Sequence, residues 1–296
     1  MGKLDMHRNI AGSDRELERR RFVAWLLAGG LASPLAASAA RDEGSTPGDA
    51  GLRNPLLWAV AWKQTAAEFG ALCHQAYNVA RLRVDMAIAA GRGKGKPAAV
   101  ITDMDDTIIH AKSYWGYLVN EGLDFFDDAL WDRWLPENLV TAVPGALDFL
   151  RHCESVGVEV FYVTNRDQGE RTYDYALGQL RHLEFPWADE AHLTVYRDTS
   201  DKSATREQLA ASHDLLLMLG DNLNDYKRDY YVADVDERYA LMERDRLEYG
   251  VEFVLLPNPT DGHWVRAIFG DSEPAATDDN RRRLREAAAR IAWDGR

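Results

Sequence analysis

The sequence predicts an α/β fold in which a parallel sheet is flanked by helices. Three apolar runs, beginning at Ala98, Val158 and Leu215, have the length and composition of buried strands. Stretches with the three- and four-residue spacing of amphipathic helices lie between them. Strands that alternate with helices usually pair in parallel, and their carboxyl ends then meet at one edge of the sheet. We expect a functional site at that edge.

The first forty residues have the features of a cleavable export signal. Paired arginines precede Phe22, an apolar segment covers residues 23–35, and residues 37–39 read Ala-Ser-Ala, as a signal peptidase requires. The apolar segment is shorter than the roughly 20 residues that span a bilayer. The arginine pair resembles a twin-arginine address, which serves proteins exported already folded. We therefore predict a signal peptide over residues 1–40, with an amphipathic or core helix as the alternative, and a periplasmic or secreted mature protein.

An N-terminal helical extension precedes the first strand. Residues 41–54 are polar and contain glycine and proline, which predicts a disordered lead-in. Apolar residues then recur with helical spacing from about residue 55 to residue 90. The glycine-rich run over residues 91–97 lacks the glycine spacing and the Lys-Ser/Thr pair of a phosphate-binding loop, so we interpret it as a connector.

The first strand ends in three carboxylates within four residues, in the sequence Thr-Asp-Met-Asp-Asp-Thr. Because side chains alternate along a strand, Asp103 and Asp105 are expected on one face, with Met104 in the packing. Two adjacent carboxylates at the end of a buried strand repel each other and lose hydration, and a divalent cation or a proton relieves that cost. The pair does not stabilise a fold, so it favours a site.

Residues 108–136 are dense in aromatic side chains and predict a small helical, aromatic cap beside these carboxylates. Most members of such a cluster are expected in the core. Aromatic faces also stack on planar rings, so Tyr114, Trp115 and Trp131 are candidates for the wall of a substrate pocket.

The second strand ends in Thr164-Asn165-Arg166. A hydroxyl at a strand tip, next to the amides of the following turn, is well placed to bind a phosphoryl oxygen. Capping the next helix is an alternative role for Thr164. Lys202 precedes a helix predicted for residues 204–212, and its charge would neutralise nearby carboxylates and a transferring phosphoryl group.

The third strand ends in Gly220-Asp221, with Asp225 four residues later. Glycine lets the backbone turn tightly, and a carboxylate at a strand tip is the hard oxygen ligand that Mg²⁺ requires. We expect Asp221 to bind the ion directly and Asp225 either to reach it or to orient a ligand. Residues 192–196 and 251–256 predict two more strands.

Four sequence features resemble, in type and in order along the chain, the motifs of the haloacid dehalogenase-like (HAD) superfamily. They are Asp103-x-Asp105-x-Thr107, Thr164, Lys202 and Asp221. The resemblance implies a HAD-like Rossmannoid sheet. It implies that Asp103 is a nucleophile and Asp105 a general acid/base. It also implies that the phosphate is held by Thr164, Asn165 and Lys202. Mg²⁺ would be held by Asp103, the backbone carbonyl of Asp105 and Asp221.

Four segments narrow the resemblance to class C acid phosphatases, the family that contains bacterial lipoprotein 5′-nucleotidases, and they are residues 62–77, 161–166, 220–223 and 255–259. This implies Mg²⁺-dependent hydrolysis of small-molecule phosphomonoesters outside the cytoplasm, through an aspartyl phosphate. A protein of the same fold that binds or stores a phosphate ligand without turnover is the alternative.

The chain departs from that family at several positions. Asp106 stands where the family usually has Glu, and residues 110–112 (His-Ala-Lys) replace an Asp-Asn-Ser triplet. Asp261 stands where many members have a Tyr that helps to stack the substrate base, so nucleotide preference is not implied. No Cys follows the apolar N-terminal segment, so no stable membrane anchor is predicted.

The remaining features set broad limits. A net charge of −13 over 296 residues argues against a nucleic-acid polymer as partner, which would need a basic face. Cys73 and Cys153 either pair in an oxidising compartment or stay as buried thiols. We place the main domain, with its cap insertions, at residues 55–270 and a C-terminal helical tail at residues 271–296. Nothing in the sequence sets an oligomeric state.

Overall fold

The structure is a computed structural model that describes residues 54–295. The predicted signal peptide and almost all of the lead-in therefore lie outside the described residues. Two helices open this part of the chain, α1 (Leu56–Thr65) and α2 (Ala67–Ala89). Extended backbone at Ala66 separates them, with a ψ of 124°. The predicted helical extension is thus real, but it is divided into two helices.

The strands follow in chain order as β1 (Ala98–Thr102), β2 (Ile109–His110), β3 (Thr141–Ala142), β4 (Glu159–Asn165), β5 (Leu193–Tyr196), β6 (Asp214–Gly220) and β7 (Phe253–Leu255). The main sheet has the order β5-β4-β1-β6-β7, and all its pairings are parallel. The predicted parallel sheet is confirmed. The chain runs outward from β1 to β5 and then returns to β6 on the other side of β1. The ends of β4, β1 and β6 therefore frame the crevice where such folds bind ligands.

Helices cover both faces of the sheet. They are α2, α5 (Ala146–Ser155), α6 (Thr172–His182), α7 (Ser203–Ser212) and α8 (Val235–Arg244). Helix α9 (Trp264–Phe269) packs instead against Phe125. Alternate residues of β1 face opposite sides, as strand geometry requires. Val100 joins the large core formed with α2, α5 and α6, whereas Ala99 and Ile101 pack with Leu209 of α7.

The segment between β1 and β3 forms the cap, with helices α3 (Lys112–Asn120) and α4 (Asp128–Trp134). Tyr114, Trp115 and Leu118 of α3 are buried together with Val60 of α1. The N-terminal extension therefore packs directly under the cap. Most of the aromatic residues serve as core here, as the sequence analysis expected for the majority of them.

The last helix, α10 (Asp278–Ala288), begins after Thr277, whose hydroxyl accepts the backbone N–H of Asn280 at 3.2 Å. It lies within the C-terminal helical tail predicted for residues 271–296 and covers its middle part. Arg281 makes a two-pronged ion pair with Asp124, at 2.5 and 2.9 Å, which ties α10 to the cap segment. Among residues 54–295, no helix has the length and apolar character needed to cross a membrane.

The two cysteines are separate buried thiols. Cys73 on α2 and Cys153 on α5 are both free and fully enclosed in the main core. Burial raises the pKa of the Cys73 thiol to about 11 and that of Cys153 to about 12. Of the two alternatives in the sequence analysis, the structure has the unpaired one.

We expect Leu217→Ala to lower the free energy of unfolding by about 2–5 kcal/mol, because it opens a cavity in the sheet core. Leu217 is 2% exposed and pairs with Val100 of β1. Leu247→Ala is the matched control at a side chain that is 79% exposed, and it should change stability by less than about 0.5 kcal/mol. Urea unfolding measures both. Equal losses would contradict the assigned core.

Candidate active site

The chain turns immediately after β1, so residues 103–107 form a loop and not an extension of the strand. The carbonyl of Met104 accepts the backbone N–H groups of Ile108 and Ile109, both at 2.9 Å, and Asp106 has a left-handed φ of 53°. Met104 itself is fully buried in the core, as predicted. From helix α2, the hydroxyl of Tyr77 donates to the carbonyl of Thr107. The loop is thus held from below by the N-terminal extension.

Because of this turn, Asp103 and Asp105 engage different partners. Strand β1 ends at Thr102, and the predicted common orientation of Asp103 and Asp105 stays a prediction. Asp103 forms a buried ion pair with Lys202, at the start of α7. Asp105 instead faces Arg166, at the end of β4.

Lys202 joins two carboxylates from separate parts of the chain. Its Nζ contacts Asp103 and lies 2.7 Å from Oδ1 of Asp225. Asp103, Asp221 and Asp225 each place one carboxylate oxygen within 4.8 Å of the others. Among the described residues, these three form the acidic group that is arranged to hold a metal ion. These hard oxygen donors fit Mg²⁺. The structure therefore brings together Asp103, Lys202, Asp221 and Asp225, which come from separate parts of the sequence.

Two carboxyl groups of this cluster, those of Asp103 and Asp221, have raised pKa values. Burial raises the pKa of Asp103 to about 7; the charge on Lys202 lowers it, but the carboxylates of Asp225 and Asp105 add to the effect of burial. Burial, followed by the charges of Asp225 and Asp103, raises the pKa of Asp221 well above its usual value. Without a bound cation, this cluster favours protonation.

The tip of β6 is shaped by a glycine. A Cβ atom on Gly220 would overlap the carboxylate of Asp225, so no larger residue fits at this position. Oδ2 of Asp225 accepts the backbone N–H of Asn222 at 3.0 Å. With its other oxygen on Lys202, Asp225 holds the lysine and the strand tip together. Both roles expected for Asp225, reaching the ion and orienting one of its ligands, stay predictions.

Asp105 is clamped by a residue whose role the sequence analysis missed. Arg166 donates to both oxygens of Asp105, at 2.6 and 2.7 Å, and its third nitrogen donates to Gln179 at 2.8 Å. Arg166 is only 4% exposed. Bidentate pairs of this kind fix the plane of a carboxylate. The signal was available, because Arg166 follows Thr164 and Asn165 at the same strand end.

Thr164 and Asn165 occupy the adjacent strand end. Thr164 is buried opposite Val195 of β5. The alternative role of Thr164 as a helix cap is wrong, since the turn before α6 starts at Gln168 without a side-chain cap. Asn165 is exposed, and its side-chain amide donates to the carbonyl of Tyr196 at 3.2 Å.

A cleft of about 550 Å³ opens beside Asp105, and its rim includes Asn165. Trp115, Phe126 and Trp131 form its aromatic wall. Tyr114 does not line it: the ring is 1% exposed, and the hydroxyl bonds to the backbone of Asp127. The prediction of Tyr114 as a pocket residue is therefore corrected to a support behind Trp115 and Trp131, with ring centroids 5.2 and 5.0 Å away.

The cleft is acidic. Its carboxylates are Asp105, Asp106, Asp128, Asp132, Asp167, Asp261 and Glu273. The arginines in its lining are already paired, Arg166 with Asp105 and Arg197 with Asp167 at 2.7 Å. Burial raises the pKa of Asp261 to about 6. An anionic group deep in this cleft would meet uncompensated negative charge.

Beneath the cleft lies a second residue that sequence reasoning missed. Lys63 of α1 is 3% exposed, and its Nζ lies 2.8 Å from Oδ1 of Asp106. Although burial raises the pKa of Asp106, the charge of Lys63 and a hydrogen bond with His110 lower it to about 2. The signal was the position of Lys63, three residues after the apolar Val60 on the same helix face.

Two comparisons place this geometry among known proteins. Residues 52–264 match the sequence profile of a family described as HAD superfamily, subfamily IIIB (Acid phosphatase). A structure of the class C acid phosphatase from Bacillus anthracis matches 82% of this chain and 99% of its own, with a TM-score of 0.73 and 27% identity. A second structure of class C acid phosphatase from that organism, with tungstate bound, matches 80% and 97%, with a TM-score of 0.72 and 29% identity.

The affinity for Mg²⁺ should fall as the pH falls below about 7. Asp103 has a raised pKa, so below that value it carries a proton that a cation must displace. One displaced proton lowers the affinity by about tenfold per pH unit. Isothermal titration calorimetry between pH 8 and pH 5, in buffers of different ionisation enthalpy, measures both affinity and proton release. A pH-independent affinity without proton release would contradict the described electrostatics.

Proposed function

The chain belongs to the acid phosphatases of HAD superfamily subfamily IIIB, and we propose that it hydrolyses small phosphate monoesters in a Mg²⁺-dependent reaction through a phosphorylated Asp103. It is a phosphomonoester hydrolase, so the alternative of a non-catalytic phosphate-binding protein is set aside. The single observation that supports the detailed proposal is the meeting of Asp103, Lys202 and Asp221 from three separate places in the chain.

In the first proposed step, a carboxylate oxygen of Asp103 attacks phosphorus, and the bond from phosphorus to the ester oxygen breaks. Asp105 gives a proton to the departing oxygen, so the alcohol leaves neutral. In the second step, water attacks phosphorus, Asp105 takes its proton, and the Asp103–phosphorus bond breaks. The products are the alcohol and inorganic phosphate, and Asp103 is regenerated.

Positive charge supports both steps. Lys202 lies against Asp103, where it can neutralise the nucleophile and the oxygens of the transferring group. Thr164 and Asn165 are proposed as further phosphate ligands at the neighbouring strand end. Mg²⁺, when bound to Asp103, Asp221 and the backbone carbonyl of Asp105, would neutralise non-bridging phosphate oxygens. Asp225, already bonded to Lys202, orients that lysine.

Arg166 shapes the proton transfer. It donates one hydrogen bond to each oxygen of Asp105, and each oxygen keeps a second lone pair that can carry the proton to the leaving group. These hydrogen bonds, backed by Gln179, would keep the carboxyl group in place. Arg166 is therefore proposed to hold Asp105 near the reacting oxygen.

The leaving group is proposed to lie in the cleft beside Asp105, against Trp115 and Trp131. A flat nucleoside suits this wall, so 5′-nucleotidase activity is one form that the reaction can take. The acidic lining favours a leaving group without further negative charge. Export by the twin-arginine-like signal in residues 1–40 would place the enzyme in the periplasm or outside the cell.

Asp103→Asn should lower kcat for p-nitrophenyl phosphate by about a thousandfold or more, because an amide cannot form the phosphorylated intermediate. Circular dichroism should show that the variant is folded. Asp229→Asn is the matched control at an exposed, ion-paired Asp outside both the cleft and the acidic cluster, and it should keep wild-type turnover. Chelation should stop the wild-type reaction, and added Mg²⁺ should restore it. Near-normal turnover by Asp103→Asn would rule out the proposed nucleophile.

The charge of the leaving group should control the rate. We expect kcat/KM for adenosine 5′-monophosphate to exceed that for adenosine 3′,5′-bisphosphate by about tenfold or more, since the extra phosphate meets the acidic lining. Release of the 5′-phosphate is measured for each compound at equal ionic strength. Equal or faster hydrolysis of the bisphosphate would contradict the proposed position of the leaving group.

A further inference from the structure

We propose that Lys63 is a positioning residue, which sets the orientation of the Asp221 carboxylate for metal binding through the side chain of Asn258. This inference rests on the proposed Mg²⁺-dependent function. Lys63 belongs to α1, outside the sheet and far from Asp221 in sequence. The link between them consists of hydrogen bonds among buried or half-buried side chains.

Lys63 has a complete set of partners. Its ammonium group offers three hydrogens. It lies 2.8 Å from Oδ1 of Asp106, donates to Oγ1 of Thr260 at 2.8 Å and donates to Oδ1 of Asn258 at 3.2 Å. A buried cation is tolerated only with such compensation. Each hydrogen of Lys63 thus has one oxygen acceptor, and one of these acceptors is the Asn258 amide.

These contacts determine which way the Asn258 amide faces. Its oxygen accepts from Lys63, from the hydroxyl of Thr260 at 2.8 Å and from the backbone N–H of Thr260 at 3.2 Å. Two of these donors, the ammonium and the backbone N–H, cannot accept a hydrogen bond. If the amide were reversed, its NH₂ group would face a cation. Lys63, together with the backbone N–H groups of Thr260 and Asp261, therefore keeps the amide nitrogen on the opposite side, toward Asp221.

The amide nitrogen in turn occupies one oxygen of Asp221. Nδ2 of Asn258 donates to Oδ2 of Asp221 at 2.7 Å, and Nδ2 of Asn222 donates to the same oxygen at 2.8 Å. Oδ1 is left toward the cluster, 3.5 Å from the hydroxyl of Thr107, which is itself 3.3 Å from Oδ2 of Asp103. The geometry points to a carboxylate that offers a single oxygen to the ion, with its plane fixed from behind.

The test measures Mg²⁺ affinity by calorimetry on the purified protein. Lys63→Met alone would leave the Asp106 carboxylate buried without its cation, which could prevent folding. The variant is therefore made together with Asp106→Asn, which removes both charges of the pair. We expect Lys63→Met/Asp106→Asn to weaken Mg²⁺ binding by about 10- to 100-fold, the usual effect of losing a residue that orients a metal ligand. Lys96→Met, at an exposed lysine, is the control and should bind Mg²⁺ within about threefold of wild type.

A conservative replacement separates positioning from packing. Lys63→Gln/Asp106→Asn keeps an N–H donor that can reach Asn258, so its affinity should recover most of the loss. Asn258→Leu should weaken binding as much as the methionine variant does. Combining Asn258→Leu with Lys63→Met/Asp106→Asn should give little further loss, because both act on one chain of contacts. At saturating Mg²⁺, kcat should stay within about threefold of wild type.

The outcomes are distinct. Folded Lys63→Met/Asp106→Asn protein with wild-type Mg²⁺ affinity overturns the inference and leaves the proposed function intact. So do additive losses for Lys63 and Asn258, or methionine and glutamine variants that both fail to fold, since Lys63 would then have only a structural role. A wild-type enzyme that binds no Mg²⁺ at millimolar concentration overturns the proposed function and this inference with it.

Discussion

The contact of Lys202 with Asp103 and Asp225 is the interaction on which the site depends. Several carboxylates lie at the buried end of neighbouring strands, where they repel one another and lose hydration. Lys202 is the ammonium group that compensates two of them directly. An ion between Asp103 and Asp221 would compensate the rest. In the proposed mechanism, this electrostatically unfavourable arrangement presents the carboxylate of Asp103 to phosphorus.

The sheet brings the residues of the site to one edge, and contacts from other elements hold their side chains in place. Parallel strands bring their carboxyl ends to one edge, so Asp103, Thr164 and Asp221 converge without long loops. The side chains around them are then fixed by partners from outside the sheet. Arg166 holds Asp105, Tyr77 holds the loop after β1, and Lys63 reaches Asn258. The N-terminal helices are thus part of the architecture of the site.

The sequence was informative where local pattern decides structure. Apolar runs ending in polar residues located β1, β4 and β6, and their parallel pairing then followed from the alternation with helices. The sequence failed where the outcome depends on contacts between distant residues. The strand pattern did not predict the turn at Asp106 or the pairing of Asp105 with Arg166. The hydrogen bonds between Tyr114 and Asp127 keep that ring out of the cleft. Lys63, on an apolar helix face, contacts oxygen atoms of residues that lie nearly two hundred positions later in the chain.

The most direct test is a crystal structure of the enzyme grown with Mg²⁺ and a phosphate analogue. The account predicts one ion about 2.1 Å from a single oxygen of Asp103 and from Oδ1 of Asp221, with Lys202 and Thr164 on the analogue. Asn258 should still donate to Oδ2 of Asp221. An ion bound elsewhere, or an analogue seated away from Asp103, would contradict the account.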